Sequence, residues 1–111
     1  MDSDRRKVYY YETGDGSCPY TEWRDSLRDP IFLEAWEKRL LRIRLGLLGN
    51  CKQVGAGVLE LIFDIGPGYR VYIAEWGRKV VVLLCGGDKS TQDRDIRLAK
   101  RYWEDFRRSN S

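Results

Sequence analysis

Two short segments of this chain carry the side chains best suited to chemistry. One runs from Gly66 to Tyr72 and contains Arg70, and the other runs from Leu84 to Gln92 and contains Lys89. A guanidinium binds a phosphodiester through paired hydrogen bonds and stabilises charge that develops on it, and an ammonium acts as a point charge. A tyrosine can stack on a base or help to move a proton. These residue types suit a phosphodiester better than an acyl group.

The position of each segment at the end of an apolar strand predicts that Arg70, Tyr72 and Lys89 converge on one concave surface of a sheet. The chain contains no His, so acid–base chemistry would depend on other side chains. RNA supplies its own nucleophile, the 2′-hydroxyl, so a ribonuclease without metal or His is chemically reasonable. A structural alternative stays open and is favoured on spacing alone: Arg70 would then pair with Glu60 or Asp64, and Tyr72 would pack.

Lys52 precedes a Gly-containing segment at the start of the same sheet and has two equally plausible roles. It can extend the basic surface around Arg70, or it can guard an edge strand against pairing with another chain. The carboxyl groups of Glu60 and Asp64 share a strand face and suit an ion-paired surface better than an acid–base pair.

Composition limits the class of protein. The 111 residues predict a single domain over 1–111. A formal charge of +3 permits a nucleic-acid partner without requiring one. The three Cys, the absence of His and the absence of a CxxC pair argue against a zinc site, so we predict no metal and no cofactor. The N-terminus lacks an apolar export segment and no window is long enough to span a membrane, which predicts a cytoplasmic protein with free thiols.

The elements that must position these residues follow from periodicity and turn signals. Asp29-Pro30 opens a long helix whose apolar face is predicted to carry Phe32, Trp36, Leu40, Ile43 and Leu47. We predict an α+β domain of order β-α-α-β-β-β-β-α, in which a small antiparallel sheet packs against an N-terminal helical hairpin and a C-terminal helix. The predicted ranges are strands 7–13, 58–65, 69–76 and 79–85, a further strand from residue 51, a short helix 20–27, and a last helix capped by Ser90 or Thr91.

Residues from about Asn50 to Ala99 resemble the RelE/ParE toxin superfamily, and within it the HigB-like group of addiction-module killer proteins. The resemblance depends on Gly66-Pro67-Gly68-Tyr69-Arg70-Val71-Tyr72, on Leu84-Cys85-Gly86-Gly87-Asp88-Lys89-Ser90-Thr91-Gln92, and on Lys52 and Glu60-Leu61 before them. The family fold, a small antiparallel sheet with a helical hairpin and a terminal helix, agrees with the elements predicted above.

The resemblance implies a function as well as a fold. Most members are ribosome-dependent messenger-RNA endonucleases of toxin–antitoxin systems, and in this branch the antitoxin is usually a helix-turn-helix protein. Arg70 then matches the residue that contacts the scissile phosphate, with Lys89 and Tyr72 as the other catalytic residues. The residues expected to bind RNA are Lys52, Tyr69 and Arg94.

One departure leaves two alternatives open. Many relatives have Glu-Leu-Arg where this chain has Glu60-Leu61-Ile62, so one phosphate or RNA contact is missing. The first alternative is a DNA gyrase poison of the ParE type, which shares the fold. The second is a catalytically silent member that acts as an antitoxin partner or co-repressor.

Overall fold

A five-stranded sheet forms the centre of the molecule, as described for residues 5–111 in a computed structural model. Its strands, in chain order, are β1 (Lys7–Tyr10), β2 (Cys51–Gly55), β3 (Val58–Ile62), β4 (Tyr69–Trp76) and β5 (Val80–Asp88). They lie side by side as β1-β5-β4-β3-β2. Residues 1–4 lie outside the described range. They belong to the N-terminal segment for which we predicted the absence of an export signal.

The sheet is mixed, which corrects the prediction of an antiparallel one. Strands β2 to β5 form an antiparallel meander, but β1 pairs parallel to β5, with Lys7 opposite Val80. A parallel pair needs a long crossover, and here residues 11–79 provide it. Strand β5 is therefore interior, which agrees with its predicted apolar run, and its residues Val81 to Leu84 are fully buried.

A helical hairpin, α1 (Pro19–Ser26) and α2 (Pro30–Arg44), covers one face of the sheet. Asp29 caps α2 as predicted, since its Oδ1 accepts from the Phe32 amide at 3.2 Å. The predicted apolar face is largely confirmed: Phe32, Trp36 and Ile43 are buried. Leu47 is the exception, because α2 ends at Arg44 and Leu47 is 61% exposed.

The opposite face is covered by the C-terminal helix α3 (Gln92–Ser109), which directs Ala99, Trp103 and Phe106 into a second core. Between β5 and α3 lies a 3₁₀ turn, Lys89–Thr91, which makes the element order differ in detail from the predicted one. Asp88 caps this turn in a capping box with Thr91. Thr91 occupies the N-cap position of α3, as predicted, but its side chain makes no capping hydrogen bond to that helix.

Two adjacent glycines of β5 let both layers approach the sheet closely. A Cβ on Gly86 would lie 2.3 Å from the Trp23 ring, and a Cβ on Gly87 would lie 1.8 Å from Oδ2 of Asp95. Neighbouring residues of a strand point to opposite faces. Gly86 therefore admits α1 on one side, and Gly87 admits the first turn of α3 on the other.

Candidate nucleic-acid site

Arg70 and Lys89 meet at Gly68, where β4 begins and β5 ends. A Cβ on Gly68 would lie 3.4 Å from Nη1 of Arg70 and 3.4 Å from Cβ of Lys89. The backbone of Gly68 also has a positive φ of 81°, which favours glycine. The turn from Gly66 to Gly68 thus lies between the Arg70 guanidinium and the base of the Lys89 side chain, at one end of the sheet.

The Arg70 guanidinium is buried and held by the backbone. Its Nη1 donates to the carbonyl oxygens of Gly68 at 2.9 Å and Tyr69 at 3.1 Å. Its Nε is buried and finds no acceptor within residues 5–111. The alternative partners Glu60 and Asp64 form no ion pair with it. The side chain is therefore fixed in orientation while its charge is left without a carboxylate partner.

Glu60 joins three strands and a helix through one fully buried carboxyl group. Its Oε2 accepts from the Tyr72 hydroxyl at 2.8 Å and from Nε2 of Gln92 at 2.9 Å. Its Oε1 lies 3.7 Å from the Lys52 ammonium and makes no hydrogen bond within the described chain. Glu60 thereby connects β2 and β4 to the first turn of α3.

Tyr72 lies inside the protein rather than at its surface. The side chain is fully buried in the core beneath α3. Burial raises its pKa, and the hydrogen bond to Glu60 and the negative charge of that residue raise it further. The ring is therefore inaccessible from the surface, and the only hydrogen bond of its hydroxyl within residues 5–111 is the one to Glu60.

Tyr69, which was predicted to bind RNA, lies on the other face of the sheet. Its ring stacks on Phe32 at a centroid distance of 4.2 Å, and its hydroxyl donates to Oδ2 of Asp29 at 3.1 Å. Burial raises its pKa, as does the bond to Asp29. The Tyr69 side chain therefore lies on the opposite face of the sheet from the candidate site. It links β4 to the start of α2.

Lys89 and Arg94 line one side of an open cavity of about 540 Å³ formed by residues 89–94 and Arg97. Both side chains are exposed. Arg94 makes a 3.4 Å ion pair with the buried Asp95, which Thr91 also bonds at 2.5 Å. Hydrogen bonds from Ser90 hold the pKa of Asp88 below its usual value. This cavity extends the cationic end of the sheet along α3.

Sequence reasoning predicted that Arg70 and Lys89 lie at one end of the sheet, but it missed the hydrogen bonds of Glu60 to Tyr72 and Gln92. One signal for Glu60 was available in the sequence. Residues alternate between the two faces of a strand, so Glu60 points away from Leu61, and in the register of β3 and β4 it lies opposite Tyr72. Gln92 gave no comparable signal, because its contact depends on how closely α3 approaches the sheet.

The described residues were also compared with the expectations about metal sites, thiols and membrane-spanning helices. Within residues 5–111, no three residues among Cys, Asp and Glu group in a way that could hold a metal ion. All three thiols are free. No described helix has the length and apolar character needed to cross a membrane.

The fold and the site define an α+β protein with a cationic end to its sheet. Comparison with the sequences of known proteins identifies a relative. No model of a known protein family matches the chain. It is 42% identical over 81 residues to an uncharacterized protein of Haemophilus influenzae, and the match spans 73% of this chain and 82% of that protein. The chain therefore belongs to the same family as this Haemophilus protein.

Proposed function

We propose that this protein is the toxin of a type II toxin–antitoxin system of the RelE/ParE superfamily, in its HigB-like group, and that it cleaves messenger RNA in the cytoplasm. The observation that carries the proposal is the approach of Arg70 and Lys89 to one another around Gly68. A fixed guanidinium without a carboxylate partner, with an exposed lysine starting from the same turn, suits a phosphodiester.

In the proposed reaction, the 2′-hydroxyl of RNA gives its proton to solvent, and its oxygen attacks the adjacent phosphorus while the bond from phosphorus to the 5′-oxygen breaks. The products are a 2′,3′-cyclic phosphate and a 5′-hydroxyl. Arg70 stabilises the negative charge that develops on the phosphate oxygens. Lys89 or Lys52 donates the proton that the leaving 5′-oxygen requires. No step needs a metal or a cofactor.

Glu60 has a positioning role in this proposal. Its carboxyl group holds Lys52 at 3.7 Å on one side and Gln92 at 2.9 Å on the other. Tyr72 fixes Glu60 in turn. Tyr72 is thereby a positioning residue rather than a group that contacts RNA, because its ring is fully buried.

The proposed partners are the ribosome, its messenger RNA and a helix-turn-helix antitoxin. The site has one guanidinium, two ammonium groups and no His. In this proposal, ribosomal RNA supplies further acid–base groups and helps to position the messenger RNA. A basic RNA-binding surface is also one that an acidic antitoxin segment can mask.

One observation favours the catalytically silent alternative. Ile62 lies directly opposite Arg70 in the register of β3 and β4, so the strand next to Arg70 contributes no second guanidinium. A silent member would keep the fold and the antitoxin contact without cleaving RNA.

The test is to map RNA 5′ ends in bacteria after induction of this chain and of its Arg70→Ala variant. We expect new cuts within translated messages for the native chain and none for the variant. Arg70 bonds two backbone carbonyls, so Arg70→Lys and thermal unfolding of each purified variant separate lost chemistry from lost folding. Growth arrest without cuts, but with DNA breaks, would select the gyrase alternative. Soluble protein with neither arrest nor cuts would select the silent one.

A further inference from the structure

The outward face of α3 carries a stripe of arginines that begins beside the candidate site. Arg94, Arg97 and Arg101 are spaced by three and four residues, so they share one face of the helix. They lie opposite Ala99 and Trp103, which enter the core. Arg97 and Arg101 are about 6 Å apart along the helix axis. Both are exposed.

The carboxylates of α3 form no ion pair with the far part of this stripe. Asp95 is buried and bonded by Thr91, Asp105 accepts from Tyr11 at 2.6 Å, and Glu104 holds Arg108 at 2.8 Å. Only Asp93 is exposed without such a bond. Arg97 and Arg101 make no ion pair with any residue of 5–111. Two adjacent guanidinium groups therefore face solvent without an ion-pair partner among residues 5–111.

The stripe is continuous with the site. Arg97 lines the same 540 Å³ cavity as Lys89, and Lys89 adjoins Arg70 at Gly68. Arg101 follows one turn beyond Arg97, and the stripe ends at Glu104. A polyanion that reaches Arg70 past Lys89 would meet Arg97 and then Arg101 at the spacing of helical turns.

We propose that Arg97 and Arg101 form a track for the backbone of single-stranded RNA, in which each guanidinium binds one phosphate away from the bond that is cut. The identity of the polymer rests on the proposed function, whereas the track itself rests on the exposure and spacing of these two guanidinium groups, which make no ion pair among residues 5–111. Phosphate contacts position a nucleic acid without reading its sequence. The track therefore contributes affinity and register but no base preference.

The test measures binding of a single-stranded oligonucleotide in which every 2′-hydroxyl is replaced by hydrogen, so that it cannot be cleaved by the proposed route. Each phosphate contact contributes about 0.7 to the slope of log affinity against log salt concentration for single strands. We expect Arg97→Ala and Arg101→Ala each to lower the magnitude of that slope by about 0.7, and the double variant to lower it by about 1.4.

Arg108→Ala is the matched control, because Arg108 is on the same outward face of α3 but is already paired with Glu104. Its slope should equal that of the native chain. An unchanged slope in the double variant would overturn the proposal, even if that variant lost affinity for an acidic polypeptide such as polyglutamate. Reduced slopes together with an absence of cleavage in cells would leave the track intact and refute the nuclease. Cleavage in cells together with unchanged slopes would support the nuclease and refute the track.

Discussion

At the scale of single residues, the interior of the candidate site depends on one buried carboxyl group. Glu60 is fully buried, and a polar group in that position is costly unless it is hydrogen-bonded. Tyr72 and Gln92 satisfy its Oε2, and Lys52 approaches its Oε1 from the surface. The positions of β2, β4 and α3 around the site are therefore coupled through Glu60.

Tyr72→Phe should destabilise the protein. The substitution keeps the buried ring but removes the hydroxyl that donates to Glu60, and a buried polar group that loses its partner costs about 1–3 kcal/mol. Urea unfolding of the variant and the native chain measures this difference. Tyr10→Phe is the matched control, since Tyr10 is 50% exposed and its loss of a hydroxyl should be close to neutral. Equal losses in the two variants would contradict the role given to Glu60.

The sequence indicated the positions of some candidate residues and not of others. Arg70 lies at the start of β4 and Lys89 directly follows β5, and their approach to Gly68 is a local consequence of the turn between β3 and β4. Tyr69 and Tyr72 were expected near RNA, but a strand covered on both faces has no solvent side. Their side chains therefore pack under the hairpin and under α3.

At the scale of elements, Gly86 and Gly87 set the distances between the three layers. Each stands where another structural element would collide with a side chain, one on each face of β5. The approach of α3 over Gly87 is also what brings Gln92 to Glu60. Sequence patterns indicate which elements exist, but a contact of this kind depends on an interlayer distance that they do not specify.

Gly87→Ala should displace the start of α3 and destabilise the fold. The new Cβ would lie 1.8 Å from Asp95 and 2.8 Å from Thr91, and overpacking of this kind typically costs about 1–3 kcal/mol. Thermal unfolding measures the loss. Gly14→Ala provides the comparison, because nothing lies within 4 Å of a Cβ at Gly14. Stability equal to that of the native chain would show that α3 does not depend on Gly87 for its close approach.

The parallel pairing of β1 was not predictable from its own residues. Its aromatic and β-branched sequence indicates a strand, but the direction of pairing depends on the edge of β5 that the meander leaves free. Leu47 was misplaced for a simpler reason, because its spacing continues the α2 stripe after the helix itself has ended.

At the scale of the whole molecule, the packed tyrosines make stability depend on alkaline pH. The structure raises the pKa of five of them above the ordinary value of 10.0, and burial is the largest cause in each case. These are Tyr11, Tyr20, Tyr69, Tyr72 and Tyr102. Burial also raises the pKa of the Cys85 thiol to about 12. Above the ordinary value the unfolded chain releases protons that the folded chain retains.

The free energy of unfolding should therefore begin to fall above about pH 9, where Cys85 of the unfolded chain loses its proton, and should fall more steeply above about pH 10, where the tyrosines of the unfolded chain do. A group that keeps its proton only in the folded state contributes about −1.4 kcal/mol per pH unit to that fall. Urea unfolding between about pH 8 and about pH 11 measures the slope. The Tyr72→Phe variant should show a shallower decline, because it lacks one of these groups. Stability that held constant or rose across this interval would contradict the assignment.

The parallel pair of β1 and β5 has a further consequence for how the protein is made. The ribosome synthesises β1 first, yet the strand beside it comes from the last third of the chain. Contacts this distant in sequence close late in folding. The sheet cannot be completed, nor can Lys89 and α3 join Arg70, until β5 and α3 have both been synthesised. The cationic end of the sheet is thus one of the last parts of this domain to assemble.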